Sequence, residues 1–361
     1  MKKFFILGPG RSGTTLMRSL LDSHPQLVVY PLEVSSFFEV CLSSCQYLPQ
    51  GKLKQLNDLL RYHLGVDDFG GIISSGLGMP TIDLRKVNKD TFCKVLAEKD
   101  NEKIDINKYF ERIFSALKES LSLNSQYAGG VMDVTSENIG AYLQYFSDVK
   151  LIFMIRHPIS CYSSYKKLYY QNVDFIAQAH FPAYMPARFF DTIKNSFSYL
   201  SDFKDDPRIH VVKLEDLQND PRNVMKKVAQ FLDISFDPIL LIPTILGNPY
   251  AGNTLLSPQS VRNPVSIRPM EFSDQYVTHQ EKYLIEQVIP SQRYYSMTYT
   301  KVSRQPMGFN KFLKNYNRWW STSARFPRNI IKILYGLVRY SIAYKSYCNF
   351  IENYYRKYHL N

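Results

Sequence analysis

Near the amino terminus, Gly8-Pro9-Gly10-Arg11-Ser12-Gly13-Thr14-Thr15 gathers the residue types that hold an anion without a metal. Its glycines let backbone N–H groups turn toward one point, Arg11 adds a planar cation, and Ser12, Thr14 and Thr15 add hydroxyls. Set between a strand and a helix, such a turn brings an anion to a helix N-terminus, where orphan N–H groups and the helix dipole favour it. Gly8 and Gly13 stand at the spacing of the nucleotide-binding pattern G-x-x-x-x-G-K-[ST], but Thr14 takes the place of the lysine. That lysine serves the β- and γ-phosphates of a nucleoside triphosphate. Its absence counts against ATP or GTP hydrolysis and against an ATP- and Mg²⁺-dependent kinase, and it leaves Arg11 to meet a phosphate or a sulfate. A glycine-rich turn with no ligand is the alternative. No histidine pair stands at zinc-ligand spacing beside Cys41 and Cys45, so no metal is expected.

The elements that would carry this turn are legible around it. Phe4–Leu7 is an apolar run suited to a buried parallel strand. A helix opens at Thr14, places Leu16, Met17, Leu20 and Leu21 on one face, and ends at His24-Pro25. Strands are predicted at Gln26–Tyr30, Lys150–Ile155 and His210–Leu214, with Pro158 in the first turn of a helix. Asp220-Pro221 caps another helix, which runs to Leu232. Strands alternating with helices imply an α/β fold around a mainly parallel sheet. Residues 34–127 interrupt that alternation as a helical insertion, and Ile106, Tyr109, Phe110, Ile113, Phe114, Leu117 and Leu121 form a stripe of period 3.6 in it. Asn172–Arg188 and 248–275 read as loops.

With 361 residues, 45% hydrophobic and 21% charged, the chain suits one or two folded domains. Five dispersed cysteines make no disulfide framework and point to a reducing compartment. The apolar opening stops at Gly8, short of a signal sequence, and no stretch reaches the length of a membrane span. The protein is therefore expected in the cytoplasm, at most peripheral to the inner face of a membrane. Of the net charge of +12, nearly all belongs to residues 301–361, which hold twelve Lys/Arg against Glu352 alone. Residues 1–300 are predicted to form one α/β domain, and 301–361 a basic, aromatic, helical C-terminal extension. In that extension Asn329–Tyr347 mixes aliphatic and basic residues. Packing on the core and lying on an anionic membrane surface are both open to it. Nucleic acid is not expected, because no recognition motif accompanies the charge.

Beyond these readings, Arg11-Ser12-Gly13-Thr14-Thr15-Leu16-Met17 with Leu21-Asp22-Ser23-His24-Pro25 resembles the 5′-phosphosulfate loop of sulfotransferases. These enzymes use 3′-phosphoadenosine 5′-phosphosulfate (PAPS), and the likeness is to the bacterial, carbohydrate and tyrosylprotein groups. Leu151-Ile152-Phe153-Met154-Ile155-Arg156-His157-Pro158 is similar to the family element whose arginine binds the 3′-phosphate. Ser164 lies at the spacing of the second 3′-phosphate ligand. Val211-Val212-Lys213-Leu214-Glu215-Asp216-Leu217 is similar to a framework stretch in which Leu214 replaces a tyrosine. Ser257–Val265 is similar to a cofactor-covering loop, with Arg262 as a cofactor ligand or an exposed loop residue.

The resemblance implies a P-loop-like, three-layer fold with a helical insertion and a helical tail. It further implies sulfuryl transfer from PAPS to an acceptor hydroxyl by in-line displacement, without a metal. On this reading Gly10, Arg11, Ser12, Gly13, Thr14 and Thr15 hold the 5′-phosphosulfate, and Arg156 and Ser164 hold the 3′-phosphate. Tyr30-Pro31-Leu32-Glu33 is similar to the family's P-x-E element, so Glu33 is the implied general base, with His24 and His157 as rivals. The chain departs from many relatives at Val134, where they carry a lysine. The acceptor implied by family frequency is a carbohydrate or glycolipid, with other lipids and phenols open. A non-catalytic nucleotide-binding or membrane-peripheral scaffold is the competing reading.

Overall fold

The computed structural model describes residues 1–33, 47–48, 72–73, 82–83, 87–97, 104–123, 125, 127–133, 136, 138–171, 185–203, 205–250, 276–295, 308 and 330–360. These residues divide between two compact units, Met1–Ile155 with Asp202–Met270, and Arg156–Ser201 with Glu271–Asn361.

In the first unit the middle of a sheet is β1, Lys2–Leu7, whose Phe4 to Leu7 are fully buried. Burial on both faces is what a continuous apolar run satisfies in a central parallel strand. The helix α1 (Thr14–Leu21) follows, then β2 (Leu27–Glu33), α2 (Lys89–Ala97), α3 (Ile106–Ser120), β3 (Tyr127–Asp133), α4 (Ile139–Tyr145) and β4 (Lys150–Ile155). The strands are ordered β2-β3-β1-β4 and then β5 (Ile209–Lys213), every neighbouring pair parallel. Alternation along β1 sorts its side chains between two layers. Phe4 and Ile6 join Met17, Leu20 and Leu21 of α1 and Met225, Val228 and Leu232 of a later helix in one core. Phe5 turns to the other face, with ring centroids 5.1 Å from Phe110 of α3, 5.3 Å from Tyr142 of α4 and 5.1 Å from Phe146. Helices thus cover both faces, the three-layer α/β arrangement that the sequence implies.

Several boundaries differ from expectation. β2 runs three residues past Tyr30 and takes in Pro31. The strand is at the sheet edge, where a missing N–H is tolerated, and its register shifts between Val29 and Glu33. β3, with Gly129 and Gly130 in its middle, is a strand that the sequence reading does not identify. A β-carbon on Gly129 would collide with the Phe4 backbone, so glycine there permits the close pairing with β1. Leu214 ends no strand: it opens α7 (Leu214–Asn219), and α8 (Pro221–Leu232) follows with Asp220 accepting a hydrogen bond from Asn223 N at 3.2 Å. Part of the predicted 248–275 loop is a hairpin, Thr244–Ile245 against Asn248–Pro249. Its turn residues Leu246 and Gly247 have φ of 51° and 72°. In the insertion, the striped helix is α3, capped by Asp105. Two short antiparallel pairs join Tyr47–Leu48 to Ile104–Asp105 and Ile72–Ile73 to Ile82–Asp83.

The second unit is helical, with α5 (Pro158–Gln171), α6 (Met185–Asp202), α9 (His279–Val288) and α10 (Ile330–Lys357). Met185–Arg188, expected in a loop, is the first turn of α6. In the far half of α10, Tyr347, Phe350, Ile351, Tyr354 and Tyr355 are buried. Spacings of three and four put them on one face. Phe190 of α6 meets that face edge-on, 4.5 Å from Tyr354 and 5.6 Å from Phe350 between ring centroids. The Tyr354 hydroxyl donates to Asp191 Oδ1, and Lys194 Nζ donates to Tyr358 Oη at 3.0 Å. No helix among the described residues is long and apolar enough to cross a membrane.

Candidate functional site

The turn after β1 is built by its glycines and by the strand beside it. Gly8 has φ 140°, Arg11 φ 69° and Gly13 φ 100°. A β-carbon on Gly8 would strike the Met154 carbonyl of β4 and stand 2.9 Å from Ser12 Oγ. One on Gly13 would lie 2.8 Å from Leu214 Cδ1. The turn is therefore pressed onto β4 and onto the leucine that replaces the family's tyrosine. The Ser12 amide donates to the Pro9 carbonyl at 3.1 Å, closing the loop. The first helical bond of α1 runs from Met17 N to Gly13 O at 2.9 Å, and no side chain caps this end. The N–H groups ahead of that bond have no intrahelical acceptor, and there is no acid in the first turn to compete for them.

Ser12 is fully buried and its hydroxyl has no hydrogen-bond partner among the described residues. Thr14 is buried, while Gly10, Arg11, Gly13 and Thr15 are half-buried. A buried orphan hydroxyl beside a glycine cradle and a helix N-terminus is the donor set an oxyanion satisfies. The six predicted loop residues are thus together in one turn, and they fit a phosphate or sulfate group.

The other end of α1 is fixed by Asp22, whose part sequence reasoning missed. Its Oδ2 accepts from Thr244 Oγ1 at 2.7 Å, Gly247 N at 2.9 Å and Ser23 Oγ at 3.2 Å, so one buried carboxylate ties the helix to the hairpin. The motif marks Asp22, but the hairpin it serves lies more than 220 residues away. His24 is occupied beside it. Nδ1 accepts the Gln26 amide at 3.3 Å, which leaves Nε2 to donate to the Ser235 carbonyl at 3.0 Å. Both ring nitrogens serve backbone groups beyond α1, which ends at Leu21 rather than at the predicted His24-Pro25, so His24 is no candidate base.

Glu33 is the last residue of β2, and its backbone pairs with Val131 of β3, while Leu7 of β1 pairs with Asp133. Glu33 and the glycine turn accordingly leave the same carboxyl edge of the sheet, two strands or roughly 10 Å apart. That edge is where open parallel sheets bind their ligands. Val134, just past β3, and Arg262 lie outside the described residues.

In the second unit, Arg156 follows the final residue of β4 and is half-buried. Pro158 begins α5, as predicted, and Ser164 is half-buried in its second turn. Burial, and then the neighbouring Arg156 cation, pushes His157 down from 6.5 to about 4. Its ring stands edge-on to Tyr295 at 5.2 Å. A histidine neutral so far below pH 7 is too weakly basic to be a good general base at neutrality.

A model of the sulfotransferase family matches residues 3–238. No curated protein matches the chain. Among solved structures, the chain is similar to the sulfotransferase domain from the curacin biosynthetic pathway. The two share 18% identity over 90% of this chain and 98% of that one, with a TM-score of 0.43. Similarity to the sulfotransferase domain of the Synechococcus PCC 7002 olefin synthase is of the same order, 18% identity over 90% and 95% with a TM-score of 0.43. Sulfotransferase STF9 from Mycobacterium avium shares 18% identity over 66% of each chain, with a TM-score of 0.37. The family match runs from β1 through α8, taking in the glycine turn, Glu33 and the Arg156 segment, and on that extent the chain belongs to the sulfotransferase family.

Proposed function

We propose that the protein moves the sulfuryl group of PAPS to the hydroxyl of a carbohydrate or glycolipid acceptor, releasing 3′,5′-bisphosphoadenosine (PAP). The observation that carries this reading is the glycine turn with its buried, unpartnered Ser12 hydroxyl, on the same sheet edge as Glu33.

In this reading Arg11, the N–H groups at the start of α1 and the hydroxyls of Ser12, Thr14 and Thr15 grip the 5′-phosphosulfate. Arg156 and Ser164 take the 3′-phosphate and distinguish PAPS from ATP, with Arg262 over the nucleotide. The acceptor oxygen attacks sulfur in line. Its proton passes to the Glu33 carboxylate as the bond from sulfur to the bridging oxygen breaks and charge builds on the departing phosphate. Fixed donors aimed at that oxygen lower the barrier without reorganising. Arg11 supplies the side-chain cation of the turn, since valine at position 134 carries no charge.

The test is transfer from labelled PAPS to pools of saccharides, lipids and phenols, with wild type and Glu33→Gln side by side. A general base contributes about 10²–10⁴-fold, so Glu33→Gln is expected to bind PAP like wild type and to lose at least about 100-fold in turnover. Wild type that binds PAP and sulfates no pool would support a nucleotide-binding scaffold instead.

A further inference from the structure

Among the described residues, the helical unit holds a buried ion pair whose carboxylate is bonded from several sides. Glu281 is fully buried and Lys166 is 3% exposed. Lys166 Nζ donates to both carboxylate oxygens, at 2.9 and 3.0 Å, and the Tyr162 hydroxyl donates to Oε1 at 3.0 Å. The Thr278 amide donates to Oε2 at 2.8 Å, as part of the capping box that starts α9. Thr278 Oγ1 in turn shares a hydrogen bond with Tyr347 Oη of α10 at 3.1 Å. Two helices thus meet at one carboxylate, and α10 joins them through Thr278. The family match ends at residue 238, so Glu281 and Tyr347 lie beyond it, while Tyr162 and Lys166 lie within it.

A buried ion pair is a poor device for stability, because desolvation offsets most of the attraction and apolar residues of the same volume serve as well. Burial does push the Lys166 ammonium down, against the pull of Glu281. What a shared carboxylate does supply is register. Tyr162 and Lys166 are four apart and stand on one line of α5, so anchoring both to one group fixes the rotation of the helix and its position along its axis. Apolar contacts alone let a helix turn or slide. Ser164 stands about 180° around α5 from that line, on the half-buried side.

We propose that Glu281, with Lys166 and Tyr162, is a positioning device that sets α5 so that the Ser164 hydroxyl and Arg156 address the same 3′-phosphate. The C-terminal helix supports that setting through Tyr347. This inference rests on the reading of Arg156 and Ser164 as the 3′-phosphate site. Its signature is a loss of selectivity for the 3′-phosphate with the affinity for the rest of the nucleotide intact.

The experiment compares PAP and adenosine 5′-monophosphate binding to the full chain by calorimetry, alongside thermal melting, for wild type and Lys166→Met/Glu281→Leu. The expected result is wild-type preference for PAP, a double variant that folds with a lower melting temperature because the Tyr162 hydroxyl and the Thr278 amide lose their acceptor, and unchanged monophosphate affinity. Preference for PAP is expected to fall by about tenfold, the worth of one hydrogen bond to a charged group. A folded double variant that keeps the wild-type preference overturns the proposal. Wild type without any preference sinks the 3′-phosphate reading and the proposal together, and the wild-type arm alone reveals it. Should the double variant fail to fold, Tyr162→Phe removes one donor while keeping the ring. A roughly threefold loss of preference then supports the proposal, and no change overturns it.

Discussion

Replacing Gly13 by alanine probes the turn where two constraints meet and can be separated. The first is conformational: at φ 100° and ψ 14° an L-residue is strained, at about 1–2 kcal/mol. The second is steric: the new methyl would stand 2.8 Å from Leu214 Cδ1 and 3.4 Å from Met154 Cε. Overpacking of this kind costs about 1–3 kcal/mol. Gly13→Ala is therefore expected to lose about 2–5 kcal/mol in urea unfolding. Leu214→Ala alone, at a site 7% exposed, should lose about 2–4 kcal/mol through its cavity. In the double variant the methyl enters that cavity, so the loss should fall short of the sum by about 1–2 kcal/mol. Affinity for PAP should remain reduced in the double variant, since the backbone strain at residue 13 is still there. If the two losses add to within about 0.5 kcal/mol, Leu214 is not what the turn presses against. A neutral Gly13→Ala would refute the left-handed turn itself.

Two further outcomes follow from groups beside Arg156 and at the far end of α1. His157 binds its proton in the unfolded chain below 6.5 but in the folded one only below about 4, so stability should fall as the pH drops through that window and level off beneath it. The effect is at most about 3 kcal/mol, reduced by partial exposure, and denaturation from pH 7 to 4 should show a shallower decline in His157→Gln than in wild type. Asp22→Ala takes away the acceptor shared by Thr244, Gly247 and Ser23, at an expected loss of about 2–3 kcal/mol. Hydrogen exchange at the Gly247 amide should quicken in step with that loss. An amide as protected as in wild type would show that the hairpin is held by something else.

The parts of this fold that were legible in the sequence are those whose causes are local. A strand buried on both faces needs a run such as Phe4–Leu7, and a turn that cradles an anion needs glycine, arginine and hydroxyls in close order, so β1, α1 and the loop were readable together. Asp220-Pro221 announces α8 for the same reason. β3 was not readable, because Gly129 is required by the approach of Phe4 from more than 120 residues away, a cause no local window contains. The hairpin turn at Leu246-Gly247 hides behind a leucine in a conformation that leucine rarely adopts. Asp22 and Glu281 show the same limit at the level of the site. Each looks like an ordinary acid on a helix border until the fold brings distant donors to it.

The burial of Tyr347, Phe350, Ile351, Tyr354 and Tyr355, with Phe190 of α6 packed edge-on to that face, also bears on biosynthesis. A ribosome delivers the sheet-bearing half early, but the aromatic surface of α6 waits for residues 347–355 to emerge. Through that interval the nascent protein carries a greasy, half-finished face open to chaperones. A premature stop shortly before residue 347 would leave that face permanently uncovered, making an aggregation-prone product rather than a merely shortened enzyme.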